Sequence, residues 1–547
     1  MRLNQGTEGR NKLAELLHAE QQSQPVRADR GGESAAANST TAPAASAARC
    51  VVVIDEGEFQ GHLIPALELV RMLCARGHRV HFFAAEGVRE RVEATGAIFQ
   101  PYDLGIDSSD EGACWSSRKE AVRQLQSMGY QAPPEMYDHP FLAQLPASLG
   151  LLERGLATRV RELQPALIIA DMGHPWGPMV AEVLGLPLVT LMSCTYAPRK
   201  QLIEAFGLQE WMEEASQQDY MQAVCQRLRS RFGLTYEPLH IYDHLSEFQI
   251  CNTMPEFDQA AARAIKQSPL IKCYGPSFPP LIGEGDEAMP DEDLQGFPLE
   301  SLRDAKRKGK KIVYFSMGTV AGQYKFVNSI VPAIQAAVEA LGPQPQLLVV
   351  LSVGPRMNME ELPTMPSNFM VRRSVPQKSV LGLADVFITH MGSNSVNEGI
   401  FMGCPMVAIP NFSDQNTNAA RATELGIAVN IPSPCAPLPV KDLTHVTAER
   451  LGEAVEQVLS EPRFKNACLQ LSHRARQRRR YFDLEAANEI FAYADQWHKK
   501  RHCAAVPDGS NNVGLSGQGI SCTPANQPGS AAAGAHAAAT FTRIASH

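Results

Sequence analysis

Between residues 49 and 500, short apolar runs alternate with stretches whose apolar positions recur every three or four residues. The run at 51–55 is β-branched and is closed by Glu56 and Gly57, the pattern of a strand buried on both faces. A helix is predicted over 65–76: Ala66, Leu69, Val70 and Leu73 share a face, Pro65 suits the first position, and Gly77 suits the position after the end. Residues 80–84, 167–170 and 188–192 read as further strands. Strand, helix and strand in succession predict an α/β protein with parallel sheets.

The rhythm breaks at 275–298, a stretch rich in Pro, Gly and acidic residues. A second series then begins, with strands expected at 312–316, 347–352, 370–375, 386–389, 406–409 and 427–431 and a helix over 329–341. The chain therefore divides into an N-terminal extension (1–48), a first Rossmann-like domain (49–275), a linker (276–300), a second Rossmann-like domain (301–483), a final helix (484–500) and a tail (501–547). The extension and the tail are Ala-, Ser- and Gly-rich, and such segments bury too little apolar surface to offset the entropy of ordering. Ligands of open parallel sheets sit at the carboxyl ends of strands, so the chemistry is expected in those loops.

Composition narrows the function classes. With 547 residues, 50 basic and 58 acidic, the formal net charge is -8, which argues against a nucleic-acid binder working through a basic surface. No apolar run reaches the roughly 18 residues of a membrane span, and the first residues lack the apolar stretch of a secretory signal. Glu8, Glu15, Glu20, Asp29 and Glu33 count against an organellar transit peptide without excluding it. The 12 Cys include no CxxC pair, as suits a reducing, cytoplasmic setting. Arg474, Arg476, Arg478, Arg479 and Arg480 read as a solvated helix face, with peripheral contact to anionic lipid or a nuclear-import role as the alternatives.

The densest chemical text lies in the second half. The predicted strand 386–389 runs into His390-Met-Gly392, and a helix is expected to start near Ser393 and Asn394, which would cap it. Free backbone N–H groups at such a helix start form an anion site suited to a diphosphate. Taken singly, each residue is an ordinary turn or cap. Together, Pro376-Gln377, Thr389-His-x-Gly-x-Asn-Ser395, Glu398, Gly403-x-Pro405 and Asp414-Gln415 resemble the nucleotide-sugar signature of family 1 glycosyltransferases, the UDP-glycosyltransferases, and in particular their macrolide glycosyltransferase-like branch.

The resemblance implies a GT-B fold, two Rossmann-like domains facing each other across a cleft with the last helix crossing back to the first. It implies that His390, Gly392, Ser393, Asn394 and Ser395 hold the diphosphate and Glu398 the ribose. Asp414 and Gln415 would bind sugar hydroxyls, Gln415 favouring glucose. Val375 and Gln377 would border the uracil, and Ser316, Gly318 and Thr319 would form a phosphate loop after the strand 312–316; Gly318 alone would also suit a plain turn. Plant members carry Trp where this chain has Ser374 and Ser393, which leaves UDP against dTDP open. The sequon Asn411-Phe-Ser413 abuts Asp414, where a glycan would block the site, and this too favours the cytoplasm.

In the first half, Gly61-His62-Leu-Ile-Pro65 resembles the family's Gly-His-x-x-Pro, whose His is the general base. A lone His beside a helix start is more often a cap or surface residue, but imidazole titrates near neutral pH and this one follows a strand end. Asp171, after the strand 167–170 and before Trp176, resembles the acid that orients that His; the plain alternative is a helix-initiating Asp, and His174 is a weaker candidate. The expected reaction is an inverting, metal-independent hexosyl transfer from a UDP-sugar co-substrate, with no cofactor, to a hydroxyl of a lipophilic small molecule. Leu142, Leu145, Leu149, Leu151, Leu202, Phe206, Trp211, Met212 and Met221 each suit a core better than a pocket, but some are expected to line the acceptor cleft. The rivals are a dTDP-deoxysugar transferase and a non-catalytic nucleotide-sugar-binding member.

Overall fold

The computed structural model describes residues 48–55, 60–102, 116–133, 140–193, 196, 208–239, 245–275, 296–318, 330–354, 357–411, 414–434 and 443–505. The expected N-terminal extension and the tail lie almost wholly outside this set, as do most of the expected linker (276–295) and Thr319.

Two parallel sheets account for the strands. The first joins β1 (Cys50–Ile54), β2 (Arg79–Ala84), β3 (Ile98–Pro101), β4 (Leu167–Asp171), β5 (Leu188–Met192), β6 (Phe248–Cys251) and β7 (Ile271–Cys273) in the order β3-β2-β1-β4-β5-β6-β7. The second joins β8 (Lys311–Ser316), β9 (Leu347–Ser352), β10 (Phe369–Arg372), β11 (Val386–Thr389), β12 (Met406–Ala408) and β13 (Ala428–Asn430) in the order β10-β9-β8-β11-β12-β13. Every strand pair is parallel, and helices on the crossovers cover both faces, although between β9 and β10 the described residues hold only the short 3₁₀ turn Met359–Glu361. In β1, Val51 and Val53 enter one apolar cluster while Val52 and Ile54 enter another. In β8, Val313 and Phe315 face one cluster, and Ile312 and Tyr314 the other. These are two Rossmann-like domains, as expected, and in each sheet the chain reverses direction of travel beside its first strand. The carboxyl ends of β1 and β4, and of β8 and β11, are the switch points where such sheets bind ligands.

Three helices differ from the sequence reading. The helix after β1 spans Gln60–Ala75, so it starts five residues before Pro65, which lies inside it, and His62 sits in its first turn. Leu299 already begins a helix, Leu299–Arg307, within the end of the expected linker. The final helix runs from Pro462 to Ala505 rather than starting at Leu484. Its Cys468, Leu471 and Ala475 pack into the second domain, and Phe482, Ala486, Ala487, Ile490, Phe491 and Ala494 into the first. The crossing to the first domain is thus part of one continuous rod. Arg49 forks onto Asp495 at 2.6 and 2.9 Å, and Lys272 meets Glu489 at 2.6 Å.

The arginine run on this rod is not a uniformly solvated face. Arg474 and Arg480 are exposed, but Arg479 is buried and bonds Asp483, Arg478 pairs with Glu256 at 2.7 Å, and Arg476 lies over the Phe401 ring. Glu256 follows β6, so Arg478 fastens the rod to the segment between β6 and β7 of the first sheet. No helix among the described residues is long and apolar enough to cross a membrane.

Candidate active site

Asp171 is the last residue of β4, and its carboxylate turns back into the loop that follows. Its Oδ1 accepts from the Gly173 N–H and from His62 Nδ1, both at 2.8 Å. It therefore plays the turn-forming part and the partner part together. The Asp171 side chain is fully buried, whereas that of His62 is 33% exposed, so one ring edge is sealed and the other remains reachable. Burial pushes the Asp171 carboxyl up, but the His62 charge and hydrogen bond, His174 and a hydrogen bond from Ser193 outweigh it and hold the carboxyl below its usual range. Burial likewise opposes a charged His62, yet Asp171 overcomes this and the imidazole pKa is raised above its ordinary value.

The hydroxyl of Ser193, the residue after β5, lies 2.7 Å from the same His62 nitrogen. His174 is buried 3.7 Å from Asp171 Oδ1, with its ring 6.2 Å from that of His62 and 5.0 Å from that of Trp176. The Trp176 indole donates to the Tyr102 hydroxyl at 3.0 Å, which pins the start of the helix Trp176–Leu184 behind this loop. Gln144, from the helix Pro140–Glu153, donates to the Gly173 carbonyl at 2.7 Å and fixes the turn from the other side.

In the second domain, β11 feeds His390-Met391-Gly392, and a helix spans Ser393–Phe401. Neither Ser393 nor Asn394 caps it; Gly392 holds the cap position, with no side-chain cap bond. The Ser393 hydroxyl instead donates to Asp414 Oδ2 at 2.6 Å. Met391 is buried with φ of 67°, a strained backbone for a residue with a side chain. Asn418 holds it there: its amide donates to the Met391 carbonyl and to Asp414 Oδ2, both at 3.0 Å. The His390 ring is pressed between Gly318 and Gly392, where a Cβ would lie 2.6 and 2.5 Å from ring atoms. Burial pushes the His390 imidazole down to about 4, so at neutral pH it is an uncharged donor or acceptor.

The other expected donor-site residues form two chains. Tyr314 donates to Gln377 Oε1 at 2.8 Å, and the Gln377 amide donates to Glu398, which is buried. Gln415 is buried too, and its Oε1 accepts from the Asn411 N–H at 2.9 Å. The Ser316 hydroxyl accepts from Gly318 N–H at 3.3 Å, and Gly318 has φ of 79°. Val375 and Ser395 are buried. The first-turn side of the Ser393–Phe401 helix and the His62 helix touch directly: Asn394 Nδ2 lies 3.2 Å from the Gly61 carbonyl.

Comparison with known proteins agrees with this architecture. Residues 288–480 match the family model described as UDP-glucoronosyl and UDP-glucosyl transferase. The chain is 28% identical over 405 residues to an NDP-glycosyltransferase, YjiC, of Bacillus subtilis, covering 73% of this chain and 87% of the relative. It is 26% identical to the oleandomycin glycosyltransferase of Streptomyces antibioticus, covering 74% and 81%. The chain is thus similar to the family 1 glycosyltransferases, the family model matching residues 288–480. Among solved structures, the glycotransferase of kitacinnamycin superposes with a TM-score of 0.59 at 24% identity, covering 82% of this chain and 99% of that one. A calicheamicin glycosyltransferase superposes with a TM-score of 0.58 at 18% identity, covering 82% and 99%. These likenesses establish the GT-B fold.

Of the nine apolar residues from which some were expected to line an acceptor pocket, Leu145, Leu149, Leu151, Met212 and Met221 are buried in the core of the first domain, the reading favoured for each taken singly. Leu202, Phe206 and the side chains of Leu142 and Trp211 lie outside the described residues. Ser193, Asn252 and Asn418 were not singled out from the sequence, although each holds a candidate site residue. Ser193 and Asn252 share one signal: each is a polar residue that ends a buried apolar strand at the carboxyl edge of the first sheet.

Proposed function

We propose that this glycosyltransferase moves a hexose, glucose in the favoured reading, from a UDP-sugar to a hydroxyl of a lipophilic small molecule, with inversion and without a metal. The observation that carries the proposal is the contact between Asn394 and Gly61, because it sets the expected diphosphate-binding turn against the helix turn that bears His62. With Nδ1–H given to Asp171, His62 keeps the Nε2 lone pair for the acceptor. The acceptor hydroxyl gives its proton to Nε2 as its oxygen bonds to the anomeric carbon. The bond from that carbon to the diphosphate oxygen breaks in the same step, and UDP leaves.

The developing charge on the diphosphate falls to the first-turn N–H groups of Ser393–Phe401, to neutral His390 as a hydrogen-bond donor, and to the Ser316–Gly318 loop. Glu398 takes the ribose hydroxyls, Val375 and Gln377 border the base, and Asp414 and Gln415 face the sugar. The scattered cysteines favour a cytoplasmic address.

Melting curves with UDP, dTDP and GDP test the donor, since a ligand of the native state alone raises the melting temperature. UDP is expected to give the largest rise. A larger rise with dTDP selects the deoxysugar reading, kept open by Ser374 and Ser393, and no rise with any of the three rejects the donor site. UDP-glucose with a panel of hydroxylated lipophiles, read by product mass, then tests transfer. A protein that binds UDP yet forms no product across the panel supports the non-catalytic reading.

A further inference from the structure

The helix that carries His62 has a donor missing. In an α-helix the N–H of residue 65 would bond to the carbonyl of residue 61, but Pro65 has no N–H. The Gly61 carbonyl is therefore left without its intrahelical partner, in the turn next to the proposed base. The second domain supplies one. Asn394 Nδ2 lies 3.2 Å from the Gly61 carbonyl and 3.5 Å from that of Gln60.

The orientation of that amide is set by its other end. Asn394 Oδ1 accepts from Asn252 Nδ2 at 3.2 Å; turned over, the amide would put N–H against N–H on one side and oxygen against two carbonyls on the other. Asn252 is buried just past β6, and its own carbonyl accepts from Asn397 Nδ2 at 2.8 Å. Two segments of the first domain, the start of the His62 helix and the end of β6, thus hold the first turn of Ser393–Phe401 between them.

We propose that Pro65 and Asn394 form an interdomain latch, in which the proline vacates a carbonyl on the base-bearing helix and Asn394 fills it, with Asn252 as the positioning residue that aims Asn394. This rests on the reading of His62 as the base and of the Ser393–Phe401 turn as the diphosphate site. An amide carries two N–H groups. One is held by Gly61, and the long contact to Gln60 is the one a diphosphate oxygen can replace. A single side chain then spans from the base-bearing helix to the leaving group and sets their separation. Positioning of this kind acts on turnover more than on donor affinity.

Pro65→Ala tests the latch, because it returns the missing N–H and lets the Gly61 carbonyl bond within its own helix. In the ligand-free protein, hydrogen exchange is expected to slow at residues 61–66 and to quicken at 393–397, opposite changes that a general loosening would not produce. The melting temperature should not fall, since an internal proline is unfavourable to a helix. Turnover should drop about tenfold, the scale of one well-placed hydrogen bond, while UDP affinity is kept. Asn252→Asp, which turns a donor into an acceptor and so favours the reversed Asn394 amide, should quicken exchange at 393–397 and lower both turnover and UDP affinity. Unchanged exchange at 393–397 in Pro65→Ala overturns the latch. Should Pro65→Ala melt early, unchanged exchange there in Asn252→Asp overturns it instead. Failure of the wild-type protein to bind UDP rejects the donor-site reading, whereas the exchange comparison tests the latch without any ligand.

Discussion

Ser193 Oγ lies 2.7 Å from His62 Nδ1, the nitrogen that Asp171 Oδ1 holds at 2.8 Å, so one N–H faces two oxygens. With Nδ1–H given to Asp171, a lone pair of the Ser193 hydroxyl faces the same N–H. The three groups together fix the tautomer that leaves Nε2 as a base. Ser193→Ala removes one of two supports for Nδ1–H and is expected to lower turnover about tenfold, the scale of a hydrogen bond to a charged group. UDP affinity, measured by calorimetry, should not move, because Ser193 stands in the first domain away from the donor turn. Wild-type turnover in the variant rejects this role for Ser193.

The acid limb of activity should lie above the ordinary imidazole value of 6.5, since the pKa of His62 is raised and a base must be unprotonated to act. Asp171→Asn keeps the burial, which lowers the pKa, and removes the charge that raises it. The limb in a profile of kcat/KM against pH is therefore expected to move to lower pH. Turnover at the optimum should fall by about 10²–10⁴, the range for general-base catalysis and its orienting acid. The stability terms run in opposite directions. The His62 contribution is present below its unfolded pKa and fades as pH rises through the raised folded value. The Asp171 contribution is present above its unfolded pKa and fades as pH falls through the lowered one. An acid limb left in place by Asp171→Asn counts against the pair as the catalytic base.

Much of this arrangement was legible from local pattern, and what was not has a physical cause. β5, β9 and β11 were read with their observed bounds because each is a continuous apolar run sealed on both faces. β3, β6 and β7 were missed: they are three or four residues long, and Gln100, Gln249 and Lys272 interrupt them. Pro65 misled the reading of its helix, because proline at a first position is a local preference and contacts from Asp171 and Asn394 settle where this helix begins. The arginine run looked solvated because its partner Glu256 lies 222 residues away. The motif residues of the expected donor turn do cluster, yet Asn252 and Asn418, which hold that turn, belong to no motif. Their roles come from geometry at the ends of other elements.

Gly318 is required twice over. Its φ is 79°, and a Cβ there would lie 2.6 Å from the His390 ring. Gly318→Ala must either shift the loop out of the left-handed region or push His390 off its place. The backbone part alone costs about 1–2 kcal/mol, and the ring displacement adds to it. The melting temperature should fall, and UDP affinity should fall further than stability alone explains, because His390 is moved. Ser316→Ala, which loses only the acceptor for the Gly318 N–H at 3.3 Å, should be milder in both measurements. A Gly318→Ala protein that binds UDP as tightly as wild type rejects the close packing of Gly318 on a donor-contacting His390.

The final helix makes a prediction about where stability resides. Ile490 is fully buried in the cluster that includes Val51, Val53 and Phe248 of the first sheet, although it lies more than two hundred residues beyond the last strand of that sheet. Leu484, six residues earlier on the same rod, is 64% exposed. Ile490→Ala leaves a cavity that nearby strands cannot close, since parallel strands are held on both sides by their neighbours; the expected cost is about 2–5 kcal/mol. Leu484→Ala removes a similar volume from a surface position and should stay within about 0.5 kcal/mol. Denaturant titration of the two variants separates them. Hydrogen exchange should show the Ile490→Ala loss first in β1 and β6 and only weakly in β8 and β11, because Ile490 belongs to an apolar cluster of the first domain and to neither cluster of the second. Equal loosening of both sheets would mean that the rod transmits the defect along its length, with Cys468, Leu471 and Ala475 carrying it into the second domain.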